Sequence, residues 1–166
     1  TCLVKVKNVH MLKWLSLSAI VIAIDVYTKH LIQQAFQYGE HLQITSFFDL
    51  VRFHNEGAAF SFLASQGGWQ HFFFTGIAIV ASAVIVYLLH KNTEQKLFCF
   101  ALALVLGGAL GNLYDRLTLG YVVDFLFFHY HGYDYYWPAF NVADSAITGG
   151  VALLLLDSFK KPPIRH

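Results

Sequence analysis

Charged residues are scarce in this chain. Only 13% of its 166 residues are Asp, Glu, Lys or Arg, where about 25% is typical of soluble domains, and 57% are hydrophobic. The net charge is +1 with no evident basic face, which gives no sign of a nucleic-acid partner. A mean hydropathy of +0.52 points the same way as the low charge. The composition therefore favours an integral membrane protein over a very apolar soluble one.

Cysteine is almost absent, and linker sequence is not evident. Cys2 and Cys99 are too few and too far apart for a disulfide framework, and no CxxC or Cys/His cluster indicates a zinc site. Residues 1–10 precede the only methionine, Met11, and are interpreted as an N-terminal extension or a cloning remnant. Without repeats or low-complexity tracts, residues 1–166 are predicted to form a single membrane domain.

Long apolar runs are the dominant pattern that is present. At about 1.5 Å rise per residue, the longer runs cover a hydrocarbon layer of about 30 Å, and the third run just does so. The sequence therefore predicts an all-α integral membrane protein built as a four-transmembrane-helix bundle. The runs cover residues 12–32, 69–89, 97–113 and 141–156.

Basic residues mark one set of run ends. By the positive-inside rule, both termini and the loop between the second and third runs are predicted to lie in the cytoplasm. Residues 33–68 and 117–140 would then form two external segments. The basic residues in question are Lys5, Lys7, Lys13, Lys91, Lys96, Lys160, Lys161 and Arg165.

The two external segments have the pattern of short strands. Apolar alternation occurs around residues 42–44 and 51–53, and a turn signal follows at residues 55–57. The aromatic stretch after residue 120 resembles a hairpin that turns near Gly132. We therefore expect a small external antiparallel β-sheet against the outer membrane face.

An acidic and a basic residue lie four apart in the first run. Asp25 precedes Lys29, the favourable order for a helical ion pair, and an ionisable group at membrane depth usually needs a partner. The pair is either a self-neutralising structural pair or part of the chemistry. Residues 12–24 also have the features of a cleavable secretory signal peptide, but the polar pair just beyond argues that the segment is retained.

Small and polar residues concentrate at the end of the third run, in "GGALGNLYDRLTLG". A GxxxG spacing that starts at Gly107 lets a second helix approach closely. Gly108, Asn112 and Arg116 recur every four residues, which places them on one stripe of a helix. Asp115 is interpreted either as a structural cap where the helix leaves the membrane or as a functional group.

Two aspartates lack an obvious local basic partner. Asp124 precedes Phe-Leu-Phe-Phe, and Asp144 lies one turn into the fourth run, with Asn141 on the same helix face. If folding brings the two carboxyls together at a low-dielectric boundary, repulsion leaves one protonated and one ionised. An aspartic protease uses such a pair to activate water. Spacing alone does not establish that they meet, and a proton relay or buried structural acids are the alternatives.

Four stretches of the chain are similar to the bacterial lipoprotein signal peptidases, also called signal peptidase II. The likeness extends over nearly the whole chain after Met11, and the last two stretches together are highly specific. They are "DVYTK" at residues 25–29, "FHNEGAAF" at 53–60, "GGALGNLYDRLTLGYVVDF" at 107–125 and "FNVADSAI" at 140–147.

The resemblance implies an aspartyl endopeptidase of the bacterial inner membrane, with its active site near the periplasmic face. It implies cleavage of prolipoproteins just before a diacylglyceryl-modified cysteine, without a metal or organic cofactor. Asp124 and Asp144 match the catalytic pair. Membrane lipid is the other expected partner, and we expect a monomer. Residues that match positions shaping or supporting the site are Asn55, Gly108, Asn112, Arg116, Asn141, Ala143, Asp25 and Lys29.

Three other functions are weighed from the residues alone. A proton-coupled transporter would place acids in the membrane, but the inverted repeats and broken helices typical of transporters are not evident. A zinc hydrolase could use His129 and His131 with Asp124, although no HExxH motif is present. A scaffold without chemistry would tolerate loss of either Asp124 or Asp144.

Overall fold

The computed structural model describes residues 2–57, 69–130 and 133–160. This part of the chain contains four helices and four strands, which confirms the predicted membrane bundle with a small sheet. The elements are α1 (Cys2–Ala35), β1 (His41–Thr45), β2 (Phe48–Asn55), α2 (Trp69–Lys91), α3 (Lys96–Leu119), β3 (Val122–Tyr130), β4 (Tyr135–Tyr136) and α4 (Val142–Lys160).

The four helices are long and apolar enough to cross a membrane. Their candidate spans are His10–Ala35, Trp69–Lys91, Lys96–Leu119 and Val142–Phe159. Of the apolar window of α3, 56% is buried, against 11% for α2 and for α4, which makes α3 the central helix. The third run was predicted to end at residue 113, yet α3 continues to Leu119. Gly120 then ends it in a left-handed conformation, φ 84°, with its N–H donating to the Arg116 carbonyl.

Glycines on two sides of α3 set how closely its neighbours approach. A Cβ on Gly107 would lie 2.6 Å from Cβ of Val21 in α1, and a Cβ on Gly111 would lie 2.7 Å from a carboxylate oxygen of Asp25. The GxxxG pair therefore faces α1, as its spacing predicted. On another side, α3 packs closely against α4 at Gly150 of α4, where a Cβ would lie 2.6 Å from the Val105 side chain of α3.

The strands form one antiparallel sheet in the order β1-β2-β3-β4. Between β2 and β3 the register shifts: Leu50 pairs with Leu126, but Phe53 pairs with Asp124, so the β2 strand carries an extra residue. β3 and β4 pair His129 with Tyr136. The turn predicted at Gly132 lies outside the described residues.

Two polar side chains of β2 fix the sheet: Arg52 bonds it to the end of α1, and Asp49 bonds β2 to β3 and to Tyr133. Arg52 of β2 donates from Nη1 to the carbonyls of Gln33 (3.2 Å) and Phe36 (2.8 Å), which satisfies acceptors at the end of α1. Asp49 is fully buried and accepts from His129 Nε2 (3.0 Å) and Tyr133 Oη (2.8 Å). The sheet is thereby fixed over the C-terminal end of α1.

Asp49 is a buried acid whose hydrogen-bond partners belong to β3 and to the turn before β4. Burial by itself would raise the pKa of Asp49, but the hydrogen bonds from His129 and Tyr133 outweigh burial and lower it. An ionised Asp49 therefore accepts from both partners near neutral pH. This assigns His129 to the packing of the sheet.

Substituting Gly107 with alanine tests the helix packing. Because the added Cβ would overlap Val21, we expect Gly107→Ala to lower the free energy of unfolding by about 1–3 kcal/mol. Thermal or denaturant unfolding in detergent micelles measures the change.

Gly76→Ala is the matched control, because a Cβ at Gly76 has nothing within 4 Å. Its effect should be near zero or stabilising by up to about 1 kcal/mol, since alanine favours helix. Equal unfolding of the two variants would contradict the close approach of α1 and α3.

Candidate active site

Asp124 lies on β3, and its side chain reaches the start of α4 through Asn141. Asn55 stands opposite Val122 in the register, so it is the diagonal neighbour of Asp124 on the same face. Its Nδ2 donates to Asp124 Oδ2 at 3.0 Å. Its Oδ1 accepts from the N–H of Gly57 at 2.9 Å, which fixes the orientation of the Asn55 amide. Asp124 is therefore held from β2 by an immobilised donor.

Asp144 lies in the first turn of α4, where it forms a reciprocal cap with Asn141. The Asp144 N–H donates to Asn141 Oδ1 at 2.9 Å, and the Asn141 N–H donates to Asp144 Oδ2 at 3.3 Å. This is a capping box with an aspartate in the third helical position. The helix N-terminus also favours a negative charge at this place.

Asn141 connects the two aspartates. While its Oδ1 caps α4, its Nδ2 donates to Asp124 Oδ1 at 2.8 Å. One buried residue thus binds a carboxylate from β3 and a carboxylate from α4, which are 20 positions apart in the chain. The structure brings together the two acids that the sequence could not place side by side.

Asn112 of α3 supplies a second donor to Asp144. Its Nδ2 donates to Asp144 Oδ1 at 2.8 Å. Its Oδ1 accepts from Lys29 Nζ at 2.9 Å and from Asn141 Nδ2 at 3.2 Å. Because both of those groups are donors, the amide oxygen must face them and the amide nitrogen must face Asp144.

Lys29 is a buried cation with two acidic partners. Its Nζ lies 2.7 Å from Asp25 Oδ2 and 3.0 Å from Asp115 Oδ2. Asp25 Oδ1 accepts from the N–H of Ala143 at 2.8 Å, and Asp115 Oδ2 accepts from the N–H of Val123 at 3.1 Å. Each acid therefore holds the backbone one residue before Asp144 or Asp124.

Gly108 and Arg116 complete the stripe of α3 that was predicted from the spacing of four. A Cβ on Gly108 would overlap the carbonyl oxygen of Ala143, so α4 reaches Asn112 only because residue 108 is glycine. Arg116 is half-buried, and its guanidinium lies over the ring of Phe74 at 5.6 Å. Within the described ranges it forms no ion pair with Asp124 or Asp144 at 4.0 Å or less.

Two opposing influences set the pKa of Asp124. Burial and the neighbouring Asp144 charge raise it, whereas hydrogen bonds from Asn55 and Asn141 and the charge of Lys29 lower it, with the net result that the pKa rises to about 7. A carboxyl of this kind carries a proton through much of the neutral range. The site therefore holds an acid that can donate beside one that can accept.

Asp115 is the residue whose role the sequence left undecided. It is a buried carboxylate and the second acidic partner of Lys29, and among the described residues it forms no ion pair with Arg116 at 4.0 Å or less. The sequence signal that could have placed Asp115 near Lys29 is its position three residues after Asn112, on a neighbouring part of the same helix surface. In the described part of the chain, no three His, Cys, Asp or Glu side chains are placed to hold a metal ion. His129 contacts Asp49 instead of Asp124, and His131 lies outside the described residues.

Comparisons with known proteins agree with these features. The family model described as Signal peptidase (SPase) II matches residues 17–160. A lipoprotein signal peptidase of Ralstonia nicotianae is 57% identical over 148 residues, which cover 89% of this chain and 84% of the relative. One from Cupriavidus pinatubonensis is 51% identical over 154 residues, which cover 93% and 86%.

Solved structures show the same fold. A bacterial membrane enzyme structure determined by the in meso method at 1.9 Å resolution superposes with a TM-score of 0.79 at 30% identity, and covers 90% of this chain and 94% of that chain. A second such structure, at 2.3 Å, gives a TM-score of 0.75 at 30% identity with 93% of each chain covered. The chain therefore belongs to the signal peptidase II family and is a multi-pass membrane aspartic endopeptidase.

Proposed function

We propose that this protein removes signal peptides from prolipoproteins by hydrolysing the peptide bond before a diacylglyceryl-modified cysteine, with Asp124 and Asp144 as the catalytic pair. The observation that carries the proposal is the convergence of both carboxylates on Asn141, at 2.8 Å and 3.3 Å. Lipoprotein signal peptidase is also the name borne by relatives that are 57% and 51% identical to this chain over the aligned residues.

The two acids differ in a way that suggests their starting roles. Asp144 accepts from Asn112 and from the Asn141 N–H at a helix N-terminus, and each of these contacts favours an anion. Asp124, with its pKa raised to about 7, favours the protonated form. Ionised Asp144 is therefore the proposed general base, and protonated Asp124 the proposed general acid.

The proposed reaction moves two protons without a net change in the enzyme. Water attacks the scissile carbonyl carbon while one of its protons passes to Asp144 and the Asp124 proton passes to the carbonyl oxygen. In the resulting gem-diol, Asp144 then protonates the amide nitrogen as the C–N bond breaks. A hydroxyl proton returns to Asp124 as the new carboxylic acid forms.

Lys29 and Asn112 are proposed as positioning residues for this pair. Lys29 fixes Asp25 and Asp115, which hold the backbone beside each catalytic residue. Asn112 accepts from Lys29 and donates to Asp144, so it links the ammonium group to that carboxylate. Gly108 and Ala143 provide the close approach of α3 and α4, while Asn55 orients Asp124. Arg116 is proposed to contact the substrate.

The proposed orientation places both termini in the cytoplasm and the sheet on the periplasmic side. The positive-inside bias supports it, because Lys13, Lys91 and Lys96 lie at the helix ends away from the sheet. A cysteine whose acyl chains stay in the bilayer would present its scissile bond at the level of Asp124 and Asp144. The many aromatic side chains of β3 and β4 suit such an interface.

The first prediction concerns the catalytic pair. Asp124→Asn and Asp144→Asn should each reduce cleavage of a diacylglyceryl-cysteine peptide by at least about 10³-fold, because either change removes a proton-transfer group. Release of the signal peptide is measured in detergent or liposomes. Asp157→Asn, near the opposite end of α4, is the control and should cleave normally.

The matched peptide without the lipid should not be cleaved by the wild-type protein. Normal cleavage by either catalytic variant, with unfolding temperatures unchanged, would disprove the dyad. Proton or solute flux through liposomes without any cleavage would favour the transporter alternative instead.

The second prediction follows from the pKa of Asp124. Since the proposed general acid must be protonated, kcat/KM should fall as the pH rises through about 7. Asn55→Ala removes a hydrogen bond that lowers this pKa, so the alkaline limb should move to higher pH. A profile from about pH 5 to pH 9 tests both statements. An alkaline limb that moves to lower pH in the variant would contradict the assignment.

The third prediction concerns Asn112. Asn112→Leu keeps the branched shape of the side chain but removes the donor to Asp144, so kcat should fall about 10- to 100-fold, as expected for a hydrogen bond to a charged group, with a smaller change in KM. The control is Asn92→Leu, which removes an amide that donates to the Leu88 carbonyl at the far end of α2. It should change stability without changing kcat. Equal kcat values in the two variants would contradict the role of Asn112.

A further inference from the structure

A cavity lies between α1 and α3 at the end of the bundle away from the sheet. Its volume is about 520 Å³. Lys13 is twelve residues before Asp25, which corresponds to about 18 Å along α1, so the cavity is far from the catalytic pair. Its walls are formed by Lys13, Trp14 and Leu17 of α1 and by Lys96, Leu97 and Phe100 of α3.

The lining combines two cations with an apolar floor. Lys13 and Lys96 are exposed, and the lining contains no acidic residue. Lys13 Nζ lies 4.9 Å from the centre of the Trp14 ring, which orients its stem over that residue. Leu17, Leu97 and Phe100 supply the apolar part. Charge and shape together fit a molecule with an anionic head and a hydrocarbon tail.

Trp14 adds an unused donor beside the two lysines. Its side chain is only 6% exposed, yet its indole N–H has no acceptor among the described residues. A buried donor without a partner is costly unless something else accepts from it. Because the indole nitrogen is itself enclosed, a phosphate or ester oxygen in the cavity would accept from it only after the Trp14 ring turns towards the opening.

We propose that this cavity binds an anionic phospholipid, with the phosphate between Lys13 and Lys96 and an acyl chain along Leu17 and Phe100. Basic pockets between transmembrane helices are general binding places for anionic headgroups. A zwitterionic lipid brings its own cation close to the lysines and should bind more weakly. A signal peptide begins with basic residues, so the same lysines would repel it.

The proposal does not depend on the peptidase assignment, because the site shares no residue with the catalytic pair. It places the lipid in the leaflet opposite the sheet, which is the cytoplasmic leaflet in the proposed orientation. Anionic lipid there would hold the ends of α1 and α3 together at a level where the core is built from Trp14, Cys99 and Leu102.

The test uses the purified full chain in a non-ionic detergent, titrated with phosphatidylglycerol or phosphatidylcholine and observed by native mass spectrometry. Wild-type protein should retain phosphatidylglycerol in preference to phosphatidylcholine. The double variant Lys13→Gln with Lys96→Gln should raise the apparent Kd for phosphatidylglycerol roughly thirtyfold. Lys91→Gln is the matched control, because Lys91 lies at the same end of the bundle but over the Tyr87 ring and outside the cavity.

Two further arms separate a lipid site from general charge attraction. Leu17→Trp occupies part of the apolar side of the cavity without changing charge and should also weaken phosphatidylglycerol binding. Glycerol 3-phosphate, a headgroup without chains, should not compete at concentrations where the lipid saturates. Peptide cleavage and unfolding temperature check that each variant is folded.

Three outcomes would overturn the proposal. They are equal retention of the two lipids by the wild-type protein, equal losses in the Lys91 variant and the double variant, and competition by glycerol 3-phosphate at the lipid's own concentration. If the double variant does not fold, unchanged phosphatidylglycerol binding in Leu17→Trp would overturn the proposal instead.

Discussion

The ion pairs of Lys29 are the interaction on which the rest of the structure depends. The ammonium group is buried in the bundle with carboxylates at 2.7 Å and 3.0 Å and an amide oxygen at 2.9 Å. Removing one partner of such a buried set costs roughly 3–5 kcal/mol, because an uncompensated charge remains. Each acceptor also reaches an element that carries one of the two site aspartates, since Asp25 holds α4, Asp115 holds β3 and Asn112 holds the Asp144 carboxylate. One cation therefore fixes α1, α3, α4 and the sheet relative to each other.

Three asparagines orient the carboxylates of Asp124 and Asp144. Asn55, Asn112 and Asn141 each direct their amide nitrogen at the carboxylate of Asp124 or Asp144. Their amide oxygens accept from the Gly57 N–H, from Lys29 Nζ and from the Asp144 N–H, respectively. Neutral amides are suited to this task because they orient a carboxylate without adding a full charge. The charge of Lys29 lowers the pKa of Asp124 only partly, and burial keeps it near 7. The pair can therefore hold one proton at neutral pH.

Several of these features could be predicted from the sequence, and others could not. The four spans follow from apolar length alone, and the stripe of Gly108, Asn112 and Arg116 follows from helical periodicity. The apolar run was predicted to stop near residue 113, and α3 continues to Leu119 through a polar turn in which Asp115 is buried on Lys29. The roles of Asp115 and Asp49 depend on partners 86 and 80 positions away, which no local pattern specifies. The motifs shared with the family identified the acids, but only the fold brings them to Asn141.

The capping box at the start of α4 has a consequence for the working cycle. Asp144 accepts the Asn141 N–H as an anion, and a carboxyl that has just gained a proton is a weaker acceptor. If Asp144 is the base, the first turn of α4 is less firmly tied midway through each turnover than before or after it. In the proposed sequence of proton transfers this loosening lasts only as long as the gem-diol, because Asp144 loses its proton when the C–N bond breaks. The start of α4 is therefore tied again before the cleaved products leave.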